Sequence, residues 1–126
     1  MILDKFRLDN KVAIVTGAGK GIGACTALSL AEVGAQVVCV ARTQSDVDAQ
    51  VSAIEAIGAK ACAVVADVTE AADRNKIINT SLDRFGRIDV LVNNAGGTGH
   101  GPTSDITDEQ VYETMQINFM APVYLS

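Results

Sequence analysis

The sequence predicts an α/β fold, a parallel sheet wound in both directions from a middle strand, on three observations. Apolar runs suited to strands recur at Val12–Thr16, Gln36–Ala41, Ala61–Ala66 and Ile88–Asn93, and a segment with helical spacing follows each. The apolar mass is Val, Ile, Leu and Ala within a 48% hydrophobic composition that has no Trp and 4% aromatics, which suits strands covered on both faces. A glycine-rich turn joins the first strand to the first helix. Right-handed crossovers then give spatial order 3-2-1-4, and ligands bind where that order reverses, above the carboxyl ends of strands one and four.

The first connection reads Thr16-Gly17-Ala18-Gly19-Lys20-Gly21-Ile22-Gly23. Glycines accept positive φ and carry no Cβ, so backbone amides at the positive end of the next helix can surround a pyrophosphate. Gly17, Gly19, Lys20, Gly21, Ile22 and Gly23 are therefore candidate dinucleotide-binding residues. A nucleoside triphosphatase loop would need Ser or Thr after the lysine to hold magnesium, and Lys20 is followed by Gly21.

The second strand ends Ala41-Arg42, where an acid would accept hydrogen bonds from the ribose hydroxyls of NAD. With a guanidinium there and Lys20 in the glycine loop, two cations can meet a 2′-phosphate, which favours NADP over NAD. The bland alternative is a solvated Arg42. Ser45, ahead of Asp46 and Asp48, signals the second helix, and Thr69, ahead of Glu70, the third. Gly34, Gly58 and Gly86 stand where the first three helices should stop.

Asp67 and Val68 follow the third strand, placed for a carboxylate to accept from an adenine amino group while the valine covers the ring. Asp67 can equally start a turn. Asn93-Asn94-Ala95-Gly96-Gly97 closes the fourth strand with small residues that allow a ribose to approach, and His100 beyond it reads as a solvated loop residue. Thr107 and Gln110 form a capping box for the next helix. Val111, Met115, Asn118, Pro122 and Leu125 share one helical stripe, which predicts a buried Asn118 amide. Pro122, lacking an amide proton, leaves the Asn118 carbonyl without its helical partner.

Ten Lys and Arg against 15 Asp and Glu give net charge −5, so no basic field exists for nucleic acid to follow. No run is long enough to span a membrane, and the charged start does not resemble a secretory signal, so a cytoplasmic protein is expected. Cys25, Cys39 and Cys62 lack metal or redox spacing and are expected to be buried thiols. No linker interrupts residues 1–126, which predicts a single domain without a metal site.

Taken together, Thr16-Gly-x-x-x-Gly-Ile-Gly23, Asp67-Val68, Asn93-Asn-Ala-Gly96 and the later helical Asn118 resemble the short-chain dehydrogenase/reductase family across nearly the whole chain. The resemblance implies a Rossmann-type domain that binds NAD(P) and passes a hydride between the cofactor and a small alcohol or carbonyl substrate. It implies pyrophosphate contacts at Gly17, Gly21, Ile22 and Gly23, cofactor selection at Arg42, and adenine contacts at Asp67 and Val68. Asn94, Ala95 and Gly96 would brace the sheet and meet the nicotinamide-side ribose, and the Asn118 main chain would hold a water of the proton relay as a catalytic residue.

The family's Tyr-x-x-x-Lys is not met, because Tyr112 is followed four places on by Gln116 and Tyr124 lies two residues from Ser126. The expectation is an amino-terminal half, incomplete at the sheet, that is inactive alone, binds cofactor weakly and self-associates through the apolar edge of strand four. The full-length form would be a homo-oligomer. The alternative is a non-catalytic, nucleotide-responsive regulatory module.

Overall fold

The run of β-branched residues Val12–Thr16 forms β1, buried along its whole length, and it lies between β2 (Gln36–Ala41) and β4 (Val90–Val92). β3 (Ala61–Val65) completes a fully parallel sheet of order β3-β2-β1-β4, with Ile14 level with Val38 on one side and Leu91 on the other. The computed structural model describes residues 1–97 and 101–126, and the reading of His100 lies outside them.

Alternation along the strands divides the core between the two faces. Ala13, Val15, Val37 and Cys39 meet Ala27 and Ala31 of α1 (Gly21–Glu32) and Ile54 of α2 (Gln44–Ala56). Val12, Ile14, Val38, Val40 and Val64 meet Ile77 of α3 (Ala71–Phe85) and Ala121. Gly34, Gly58 and Gly86 take positive φ just past α1, α2 and α3, as expected of helix stops.

Strand four is shorter than its apolar run because a side chain closes one end and a backbone turn the other. The Asp89 carboxylate accepts from the Val12 N–H at 2.9 Å, and at the far end the Asn94 N–H turns back to the Val92 carbonyl at 3.0 Å. Two helix starts also differ from expectation. α2 begins one residue before Ser45, and the Thr69 hydroxyl donates to Asp67 at 2.6 Å, so α3 starts only at Ala71. The Thr107–Gln110 box forms as read, its two bonds 2.9 and 3.2 Å long, and opens α4 (Asp108–Met115).

A π turn over Gln116–Met120 links α4 to α5 (Ala121–Leu125), with the Ala121 N–H reaching the Gln116 carbonyl five residues back. Pro122 denies the α-helical ladder a donor at the next position, which is the physical reason the register widens there. Ile117, Ala121 and Leu125 pack on the core, whereas Val111, Met115 and Asn118 are exposed. The expected burial of the Asn118 stripe is therefore wrong by one residue of helical phase. Cys25 also corrects its expectation: it is exposed on α1, while Cys39 and Cys62 are buried. Burial pushes the Cys39 thiol up to about 12. No helix among the described residues is long and apolar enough to cross a membrane.

Candidate functional site

A cleft of about 360 Å³ opens above the carboxyl ends of the strands. The glycine loop contributes Gly17, Gly19 and Lys20 to its wall, the end of β2 contributes Arg42 and Thr43, and α2 contributes Asp46. Asp67 and Val68 line it beyond β3, Asn94, Ala95 and Gly96 beyond β4, and Ile117 from the π turn. Gly21, Ile22 and Gly23 stand apart from that wall, in the first turn of α1, with Ile22 79% exposed.

The loop has no space for a side chain at Gly17, Gly19 or Gly23, whereas Gly21 faces open space. Gly17 has φ +64°, and a Cβ there would stand 2.8 Å from the Asn94 side-chain nitrogen. A Cβ on Gly23 would run into the Gly17 carbonyl oxygen. No side chain caps α1 at Lys20, so the first-turn N–H groups at Gly21, Ile22 and Gly23 keep their capacity to donate toward the partial positive charge's natural counter-ion, an anion.

Thr16 and Asn94 tie that loop to the fourth strand. The buried Thr16 hydroxyl accepts from the N–H groups of Asn94 at 3.1 Å and Ala95 at 3.0 Å, and donates to the Val92 carbonyl at 3.3 Å. The Asn94 side chain donates back to the carbonyls of Thr16 at 3.1 Å and Gly17 at 3.2 Å. Asn94 thus braces the sheet crest, and the small Ala95 and Gly96 follow it into the cleft.

On the opposite rim, Asp67 Oδ1 accepts from both the hydroxyl of Thr69, at 2.6 Å, and its N–H, at 2.9 Å. The Thr69 hydroxyl bond is the main cause holding this carboxyl below its ordinary range, with the charge of Arg42 a smaller one. No hydrogen bond among the described residues reaches Oδ2. Asp73 accepts the Asp67 N–H at 2.7 Å, and Arg74 donates to the Val68 carbonyl at 2.9 Å, which fixes this turn to α3.

The two candidate cations differ in setting. Lys20 Nζ stands 3.7 Å from Asp46 Oδ2, while Arg42 has no salt bridge among the described residues. Asn118 lies outside the cleft wall, but its amide clasps the adjoining backbone: Nδ2 donates to the Gly97 carbonyl at 2.7 Å, and Oδ1 accepts the Gly97 N–H at 3.2 Å. Thr16 and Asp46, like Thr43 and Ile117, are residues that sequence reasoning did not single out. A hydroxyl ending an otherwise apolar strand signals the first; an acid in the first turn after strand two signals the second.

A family model described as short chain dehydrogenase matches residues 11–126. An uncharacterized oxidoreductase of Mycobacterium tuberculosis is 45% identical over 98 residues, 78% of this chain and 37% of that protein. Versicolorin reductase 1 of Dothistroma septosporum is 39% identical over 119 residues, 94% of this chain and 45% of that protein. Among solved structures, a 7α-hydroxysteroid dehydrogenase complexed with NADH and 7-oxo glycochenodeoxycholic acid superposes with a TM-score of 0.94 at 34% identity, covering 98% of this chain and 48% of that one. The chain therefore spans less than half the length of these relatives.

Proposed function

Because the chain belongs to the short-chain dehydrogenase family, we propose that it is the cofactor-binding portion of an oxidoreductase that passes a hydride between NADP(H) and a small alcohol or carbonyl substrate. The observation that carries this reading is a cleft with a glycine loop on one side, too tight for a Cβ at Gly17, Gly19 or Gly23, and on the other a guanidinium at the end of β2 with no salt bridge among the described residues. The residues present fit such a cofactor. When bound, its nicotinamide supplies the hydride chemistry.

Each cleft group takes one part of the molecule. The glycine loop and the first turn of α1 hold the pyrophosphate, and Arg42 with Lys20 meets the 2′-phosphate. Asp67 Oδ2 accepts from the adenine amino group while Val68 covers the ring. Asn94, Ala95 and Gly96 receive the second ribose. Asn118 orients Gly97 through its side chain, and its carbonyl, freed by Pro122, holds a water of the proton relay. The names of the relatives, a versicolorin reductase and a hydroxysteroid dehydrogenase, support an oxygen-bearing carbon as the reacting centre.

NADH is the second reading, favoured by the Asp46 carboxylate that neutralises Lys20. Fluorescence titrations with NADPH and NADH separate the two. The expected result is tighter binding of NADPH, with Arg42→Ala weakening NADPH about tenfold or more and leaving NADH nearly unchanged. Tighter NADH binding overturns the NADP assignment, and binding of neither overturns the cofactor reading.

A further inference from the structure

Asp46 is one of two acids in the cleft wall; Asp67 stands beyond β3 on the opposite rim, whereas Asp46 stands beside Lys20, and packing fixes where it stands. It occupies the first turn of α2, and a Cβ built on Gly19 would lie 2.7 Å from the Asp46 Cβ. Its side chain is 27% exposed, whereas that of Lys20 is 82% exposed, so the carboxylate is the fixed member of the pair and the ammonium the movable one. An ion pair at 3.7 Å with so exposed a lysine is weak, and a ligand phosphate can displace it.

We propose that Asp46 is a specificity-determining residue, which sets how much of the Lys20 charge is available to a ribose 2′-phosphate and thereby moderates the preference of the cleft for the phosphorylated dinucleotide. The inference rests on the NADP reading above. In the free chain the carboxylate offers Lys20 a weak partner beside the glycine loop. In the complex the ammonium turns to the phosphate, and Asp46 remains as a negative charge near the same oxygens. A ligand without the 2′-phosphate does not meet this repulsion at that position.

Removing the charge at constant shape tests the idea. Asp46→Asn should raise affinity for NADPH relative to NADH about three- to tenfold at low salt, shrinking as ionic strength rises. Asp46→Glu should keep the original ratio, and 2′-AMP against 5′-AMP should repeat the pattern without nicotinamide. In the Asn background, Lys20→Gln should cost more NADPH affinity than it does in the parent chain. Far-UV circular dichroism establishes that the variants fold. If the parent prefers NADPH and Asp46→Asn leaves the ratio unchanged or lowers it, the inference alone is overturned. If the parent binds neither dinucleotide or prefers NADH, the NADP reading falls and the inference with it.

Discussion

At Gly23 the backbone of α1 touches the glycine loop so closely that a methyl group would occupy the position of the Gly17 carbonyl oxygen. Gly23→Ala must push the loop from the helix, and the expected loss is about 1–3 kcal/mol of stability by urea denaturation, together with cofactor binding. Thr16→Val tests the other tether. It keeps the volume but strands the N–H of Ala95 and leaves that of Asn94 only the Val92 carbonyl, so a loss of about 1–3 kcal/mol is expected, and an unchanged midpoint would refute the hub role of the hydroxyl. Thiol chemistry separates Cys25 from its buried counterparts. Ellman's reagent should titrate one thiol in the folded chain and all three in urea, because Cys39 and Cys62 are buried and only the thiolate reacts.

The elements show what a sequence can and cannot disclose about a site. The glycine loop, Arg42 and the Asp67–Val68 pair were legible because each sits at a strand end that the apolar runs locate, and the sheet brings those ends to one cleft. Strand four and the Asn118 stripe were less so. The pairing of Val12 with the Asp89 carboxylate is a contact between residues 77 apart in the chain, and the π turn shifts the buried seam by one residue. Neither follows from local periodicity. Asp46 escaped notice because its meaning depends on α2 packing against Gly19. The Asn118 clasp supplies an element-scale prediction: Asn118→Ala should speed amide exchange at Gly97 while leaving β1 and β2 protected, and unchanged exchange would count against the clasp.

Across the molecule, the carboxyl ends of the strands carry the cleft while their amino ends carry ion pairs. Asp89 is held below the ordinary carboxylate range chiefly by the hydrogen bond from Arg87, and Asp9 by that from Arg7. With folded values depressed, the unfolded chain binds more protons in acid. The stability these groups contribute is thus present above about pH 4 and is lost as pH falls through their lower folded values. Urea midpoints should be flat from about pH 7 to 5 and decline below 4, and a rise in acid would contradict the assignment. The free edge of β4 carries neither charge nor proline, so light scattering should detect concentration-dependent self-association of this chain.

The convergence of backbone amides on a dinucleotide's pyrophosphate is the claim on which the proposed function stands, and amide chemical shifts read it directly. Titrating isotopically labelled chain with ADP-ribose should move the resonances of Gly17 and of Gly19 to Gly23 along one saturable curve, before any nicotinamide is present. Saturable shifts confined to other surfaces, with those amides unmoved, would contradict it.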